Sequence, residues 1–280
     1  MPKYSFYILP FKGEPLSKSV DRLARLGYDA IEVPGEPTEF DAGEVKTILL
    51  DHGLQASAVT SKLFGPDRDL TVPDPKFRAK ARDYLKALVD MAAQLGAPGV
   101  ILAPTAVRRN MPESTLDQEW RWAIEGIGEI SAYAKPRKVS IIIEAWNRYE
   151  THLLNRLDQA ERLRRDIGMD NVGIMGDLFH MNIEEVNTPK AIREFGSHLL
   201  NIHCADSNRK APGRGHLDFV PIMEALQAIK YQHYISVEYL PPRFIMEFGV
   251  PPEFYDTYAE ETIRTLKSAW DRAKERHSSP

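Results

Sequence analysis

The sequence predicts an α/β fold, a (β/α)8 barrel, and three observations carry that prediction. Short β-branched runs alternate with helical periodicities along the whole chain. The length of 280 residues suits a fold that typically needs about 250. Four metal-competent side chains, Glu144, Asp177, His203 and Glu238, stand at or just after the ends of four apolar runs. The C-terminal ends of the strands are where such a barrel keeps its chemistry.

Taken in order, strand one is expected at about Tyr4 to Leu9. Leu16, Val20, Leu23 and Leu26 have helical spacing, and Gly27 ends that helix as a C-cap. Strand two covers Ala30 to Val33, and Asp41 caps the next helix. Strand three is Leu54 to Val59, followed by a Pro-rich loop from Gly65 and a long helix from Phe77 to Leu95, stopped by Gly96. Strand four is Gly99 to Ala103, and Ser114 or Thr115 caps a helix that ends near Pro136. Strand five is Val139 to Ile143, with a helix from Asn155 to Ile167 and a stop at Gly168. Strand six is Val172 to Met175, then a short helix near Pro189 to Phe195. Strand seven is Leu199 to Cys204, a helix spans Val220 to Ile229, and strand eight is Tyr234 to Val237. The last helix is expected from Glu253 to Arg276. Residues 1–280 read as one domain, since no linker or composition shift interrupts the rhythm. A doubly wound open sheet is the alternative, but its Gly-rich first turn is replaced here by Pro10-Phe11-Lys12-Gly13.

The balance of charges excludes some partners. The net charge is −4, and Arg108–Arg109 and Arg164–Arg165 are only pairs, so no nucleic-acid partner is expected. Arg108 and Arg109 follow strand four, where they could meet a phosphate or a partner. Cys204 is the single cysteine, which rules out an internal disulfide and fits a reducing compartment. The N-terminus lacks the apolar stretch of a signal peptide, and no window reaches the roughly 18 apolar residues of a membrane helix. A cytoplasmic protein with no membrane partner is expected.

A charged group at the end of a buried strand is costly unless it is paired or binds a metal. Two Glu, one Asp and one His make a hard, oxygen-rich set that favours Mn²⁺, Mg²⁺ or Co²⁺ over a thiolate-type zinc site. Each residue alone also has a structural reading: a barrel-top ion pair for Glu144, a core histidine for His203, a turn cap for Asp177, a pair with Arg243 for Glu238. It is the matching strand-end position of all four that points to one metal site.

Three strand-end segments carry further polar residues: "NRYET" after Glu144, "FHMNIEE" after Asp177, and "ADSNR" running into "APG" and "GH" after His203. In combination these resemble the D-tagatose and D-psicose (allulose) 3-epimerases of the xylose-isomerase-like barrel superfamily. The resemblance covers nearly the whole chain and is strongest from Glu144 to Glu238. It implies one divalent metal, usually manganese and with no organic cofactor, held by Glu144, Asp177, His203 and Glu238. It also implies that Glu144 and Glu238 are the acid/base pair, and that Glu150, His180 and Arg209 bind the sugar. Members of the family form homo-oligomers.

The chemistry suits those residue types. A proton beside a ketone is a weak acid, and a metal that chelates the neighbouring oxygens stabilises the enediolate. Two carboxylates on opposite faces can remove and return the proton without a redox cofactor. Trp146 stands where the family usually has leucine, so an indole is expected at the substrate; Trp146 and Phe179 read equally as sugar-stacking walls or as core. Related barrels isomerise keto-inositols or hydroxypyruvate, and others are the α subunit of C-glycoside deglycosidases, which work with a second subunit. Trp146 would suit an aromatic aglycone there. A nuclease of the endonuclease IV type needs histidines after strands three and four. This chain has Thr60, Ser61 and Lys62, then Pro104 and Thr105. Aromatics near Phe244, Phe248, Phe254 and Tyr255 read as an interface or as a cover for the barrel's end.

Overall fold

Eight parallel strands close into a barrel in strict chain order, β1 to β8, with β8 pairing back onto β1. The computed structural model describes residues 2–11, 13–239 and 254–278. The strands are β1 (Lys3–Tyr7), β2 (Ala30–Gly35), β3 (Gln55–Ser61), β4 (Gly99–Leu102), β5 (Ser140–Glu144), β6 (Val172–Asp177), β7 (Leu199–Cys204) and β8 (Tyr234–Val237). The helices are α1 (Leu16–Leu26), α2 (Ala42–Asp51), α3 (Pro75–Leu95), α4 (Leu116–Ala134), α5 (Leu157–Ile167), α6 (Leu178–Glu184), α7 (Thr188–Phe195) and α8 (Phe219–Ala228). The helix here labelled α9 spans Tyr255–Ser278.

Local chemistry sets these boundaries. Gly27, Gly96 and Gly168 stop α1, α3 and α5 in the left-handed conformation, with φ of 81°, 76° and 70°. Asp41 caps α2 by accepting from Glu44 N–H, and Thr115 rather than Ser114 caps α4 by accepting from Gln118 N–H. Strand one ends earlier than expected, because Leu9–Phe11 turns into a 3-10 helix. Helix α6, absent from the sequence reading, begins directly after β6. Glu253 and the aromatics Phe244 and Phe248 lie outside the described residues. Tyr255 is buried with its ring 4.9 Å from that of Phe11, so it packs as core.

The hydrophobic side chains divide into two layers. A small cluster from successive strands, Ala58, Ile101, Ile142 and Met175, fills the barrel interior with Leu200 packed against it. A much larger cluster joins the outer faces of the strands to the helices. Parallel register then aligns the strand ends: Glu144 pairs with Met175, Asp177 with His203, and Cys204 with Val237. The ladder runs one residue further, where Glu238 N–H donates to Cys204 O at 3.0 Å. Glu144, Asp177, His203 and Glu238 therefore reach the same rim.

Candidate metal centre and active site

One ligand atom from each of Glu144, Asp177, His203 and Glu238 lies within 4.8 Å of the others, and all four residues are buried. Two side-chain atoms of these residues lack a hydrogen bond: Asp177 Oδ2 and His203 Nδ1. Each has a charged neighbour at ion-pair distance, Arg209 NH1 at 3.3 Å from Asp177 Oδ2 and Glu238 Oε2 at 3.2 Å from His203 Nδ1. Neither neighbour supplies a hydrogen bond, so these converging buried atoms leave room for a cation. Three carboxylates and one imidazole fit a hard dication.

The remaining atoms of the same residues are already committed. Asp177 Oδ1 caps α6, accepting from Phe179 N–H at 2.8 Å and His180 N–H at 3.4 Å. His203 Nε2 donates to Glu32 Oε1 at 2.8 Å. A carboxylate only accepts, so this bond leaves the Nδ1 lone pair for the cluster. Glu32 was not singled out from sequence. It is fully buried on β2 and also accepts from Thr60 Oγ1 and, at 3.1 Å, from Asn201 Nδ2. The register of β2 on β3 shifts between Ile31 and Glu32, and such an irregularity re-aims a side chain. The available signal was a carboxylate inside the apolar run Ala30–Val33.

Charges respond to this crowding. Burial first, then the facing carboxylates of Glu238 and Asp177, push Glu144 up to about 7 against the pull of His203. Burial also pushes Asp177 up, but Arg209 leads the opposing charges and holds its carboxyl below the ordinary range. Burial pushes the His180 imidazole down to about 3, which keeps it neutral. Glu150 is raised, by burial ahead of any other effect.

Above the cluster lies a cavity of about 610 Å³, lined among others by Glu144, Trp146, Glu150, His180, Arg209 and Glu238. Thus every residue expected to bind sugar lines one cavity, while Asp177 and His203 are buried out of its lining. Arg209, in left-handed backbone at φ 61°, ion-pairs with Glu238 Oε2 at 2.8 Å and lies over the Phe179 ring at 4.6 Å. Its loop is folded around Asp206, whose carboxylate accepts from the backbone N–H groups of Ser207, Gly213 and Leu217. Phe179 thus supports Arg209, whereas Trp146 faces the cavity. Arg243, the alternative partner for Glu238, lies outside the described residues. Of the two adjacent arginines, Arg108 is exposed at the cavity and Arg109 is folded inward onto Asp69 and Glu119. A second cleft of about 500 Å³ opens at the N-terminal end of the strands and holds none of the metal-competent residues.

The xylose isomerase-like TIM barrel family matches residues 20–269. The D-psicose 3-epimerase of Ruminiclostridium cellulolyticum is 30% identical over 230 residues, covering 78% of this chain and 76% of that protein. The chain belongs to the D-tagatose/D-psicose 3-epimerase family. It is accordingly an enzyme of the epimerase/isomerase class. A further relative, the 3-dehydro-D-guloside 4-epimerase of Escherichia coli, is 28% identical over 223 residues, 77% of this chain and 84% of that one. In three dimensions the 3-epimerase fold is matched by an L-ribulose 3-epimerase structure with a TM-score of 0.89, 23% identity and full coverage of both chains. Among the described residues, no helix is long and apolar enough to cross a membrane.

Proposed function

We propose that the chain is a metal-dependent ketose 3-epimerase of the D-psicose, D-tagatose or L-ribulose type. The observation that carries this reading is the placement of two carboxylates of the ligand cluster, Glu144 and Glu238, in the lining of the cavity above it. They come from β5 and from the end of β8, so a sugar held between them meets one on each face. Glu238 takes the C3 proton from one face and Glu144 returns one on the other. A bound Mn²⁺, or Mg²⁺ or Co²⁺ in its place, supplies Lewis-acid stabilisation of the charge that develops on the substrate oxygens. Arg209 and His180 donate hydrogen bonds to those oxygens, and Glu150 accepts from a sugar hydroxyl. Trp146 and the cavity walls exclude water. We read residues 1–280 as one domain on the unbroken barrel, and as cytoplasmic on the single buried cysteine; the homo-oligomer rests on the family resemblance alone.

The test is incubation with Mn²⁺ and ketohexoses or ketopentoses in D₂O, following deuterium at C3 by NMR. Exchange with at least one ketose is expected, and exchange with none sinks the reading. Chelation should lower the Tm by roughly 5 °C or more, restored by Mn²⁺, as expected for loss of a ligand at about 100 times its Kd. Glu32→Gln should weaken Mn²⁺ binding by about 10–100-fold in titration calorimetry, because it unties the ligand His203. Unchanged affinity would show that Glu32 plays no part in presenting that imidazole.

A second reading has its own support. Phe64 and Tyr149 are 62% and 69% exposed at the mouth of the cavity, beside Trp146. A cavity of about 610 Å³ is of the size that holds drug-like ligands. A 3-oxo-glycoside, epimerised or cleaved as by a C-glycoside deglycosidase with its partner subunit, would use that space. Exchange or elimination with such a glycoside, together with no exchange on any free ketose, would favour it.

A further inference from the structure

We propose that Arg108 is a specificity-determining residue that selects ketoses carrying an anionic group, a phosphate or a carboxylate, at the end of the sugar away from C3. The orientation of the sugar rests on the epimerase reading above; recognition of the anion does not.

Arg108 is exposed and lines the cavity above the ligand cluster. Its backbone is left-handed at φ 70°, a conformation that strains a residue with a Cβ and suits glycine. Four described residues other than glycine adopt positive φ. Lys138 and Lys230 follow helix ends at the surface, whereas Arg108 and Arg209 line the cavity. The turn at Arg108 is pinned on both sides. Val107 N–H donates to Leu63 O at 2.9 Å and Arg108 N–H to Glu150 O at 2.7 Å. Arg109 forms a parallel bridge with Thr151, and its guanidinium is folded inward onto Asp69 and Glu119. The backbone is therefore fixed in a strained form that leaves the Arg108 side chain at the cavity.

The charges of the lining leave this cation spare. Glu36 meets Arg68 at 3.5 Å, Glu39 meets Lys62 at 3.1 Å and Glu238 meets Arg209 at 2.8 Å. Glu144 belongs to the ligand cluster, and the positive charge that acts on Glu150 is that of Arg209. Among the described residues, Arg108 makes neither an ion pair nor a side-chain hydrogen bond. A sugar with C3 between Glu144 and Glu238 turns its other end to the mouth of the cavity, where Arg108 stands. A hydroxyl there would use one donor and leave the charge unmatched. A carboxylate or phosphate accepts two parallel N–H bonds from a guanidinium. Water and salt screen a charge at the rim, so the expected preference is about tenfold, the lower end for a charged hydrogen bond.

The experiment measures deuterium exchange at C3 by the Mn²⁺-loaded enzyme with D-fructose and D-tagatose, their 6-phosphates, and their C6 acids D-fructuronate and D-tagaturonate. At least one phosphate or acid should exceed its parent ketose about tenfold in kcat/KM, through a lower KM. The anion that gains identifies which of the two groups the site takes. Arg108→Met should abolish that ratio, Arg108→Lys should keep part of it, and Arg108→Glu should invert it. Salt at about 0.5 M should shrink the ratio in the wild type and not in Arg108→Met. A ratio near one for every pair, or one unmoved in Arg108→Met, overturns the proposal. Calorimetric titration of the same sugars into the Mg²⁺-loaded protein separates this outcome from failure of the epimerase reading. Exchange of ketoses with no preference for an anion sinks the proposal alone. Arg108-dependent binding of an anionic sugar with no exchange on any ketose sinks the epimerase reading alone. No binding of any anionic sugar overturns the role of Arg108.

Discussion

Glu238→Gln should stop epimerisation, lowering turnover by roughly 10²–10⁴-fold, the range that a positioned general base supplies. Glutamine keeps the length of the side chain and one oxygen, but it cannot take up a proton. Glu238 Oε2 lies 2.8 Å from Arg209 NH2 and 3.2 Å from His203 Nδ1, so the variant also disturbs an ion pair and a ligand. Metal content must therefore be measured beside activity; a loaded but inactive variant isolates the proton transfer. A two-base mechanism makes a sharper demand. Each single variant keeps one carboxylate, so Glu238→Gln should still wash out the C3 proton of the epimer whose face meets Glu144. Glu144→Gln should wash out the other epimer alone. Full epimerisation by either variant would remove that residue from the acid/base pair.

Arg109→Met should cost about 3–5 kcal/mol of stability, read as a lowered urea midpoint and Tm. The guanidinium meets Asp69 Oδ2 at 2.8 Å and both oxygens of Glu119 at 3.0 and 2.9 Å, and it also donates to Thr71 Oγ1. Asp69 and Glu119 are fully buried, so removing the cation strands two carboxylates away from water. Other donors reach Glu119, namely Glu113 N–H at 2.7 Å, Ser114 N–H at 3.0 Å and His152 Nε2 at 2.7 Å, but they do not replace a full charge. Burial alone would raise the Glu119 carboxyl; Arg109 and His152 outweigh it and hold it low. The sign of the pH dependence follows. A depressed carboxyl contributes stability above its unfolded value of 4.5 and loses it as pH falls through the folded one. Arg109→Met should flatten that acid limb. The neighbouring Arg108, exposed at the cavity, supplies the control: Arg108→Met should stay within about 0.5 kcal/mol. A loss below about 1 kcal/mol for Arg109→Met would show that the network is dispensable.

That pair of arginines marks where sequence reading ran out. Arg108 and Arg109 are identical in type and adjacent in the chain, and only the tertiary path of the loop decides which turns inward. The barrel itself was legible, because buried parallel strands leave apolar runs whose ends locate a charged residue within two positions. Glu144, Asp177, His203 and Glu238 were found in this way, and they converge. Glu32 escaped because it sits inside a run instead of at its end, aimed by a register shift that has no local sequence mark. Helix α6 escaped because seven residues are too few to show a period, and its cap is Asp177, already read as a ligand. Asn147 was visible within "NRYET" but had no stated task, since its contacts to His180 Nδ1, at 3.2 and 2.7 Å, join segments distant in the chain.

Asp177 divides its two carboxylate oxygens between different duties, one closing the first turn of α6 and the other turned to the cluster. The helix that carries His180 is therefore indexed to the centre by covalent geometry. The offset between fold and chemistry is the fixed separation of two oxygens on one carbon. Packing around α6 can drift over evolutionary time, and side chains on its outer face can change, without altering that offset. Such a scaffold can accept new loops for new sugars while its reacting atoms keep their places.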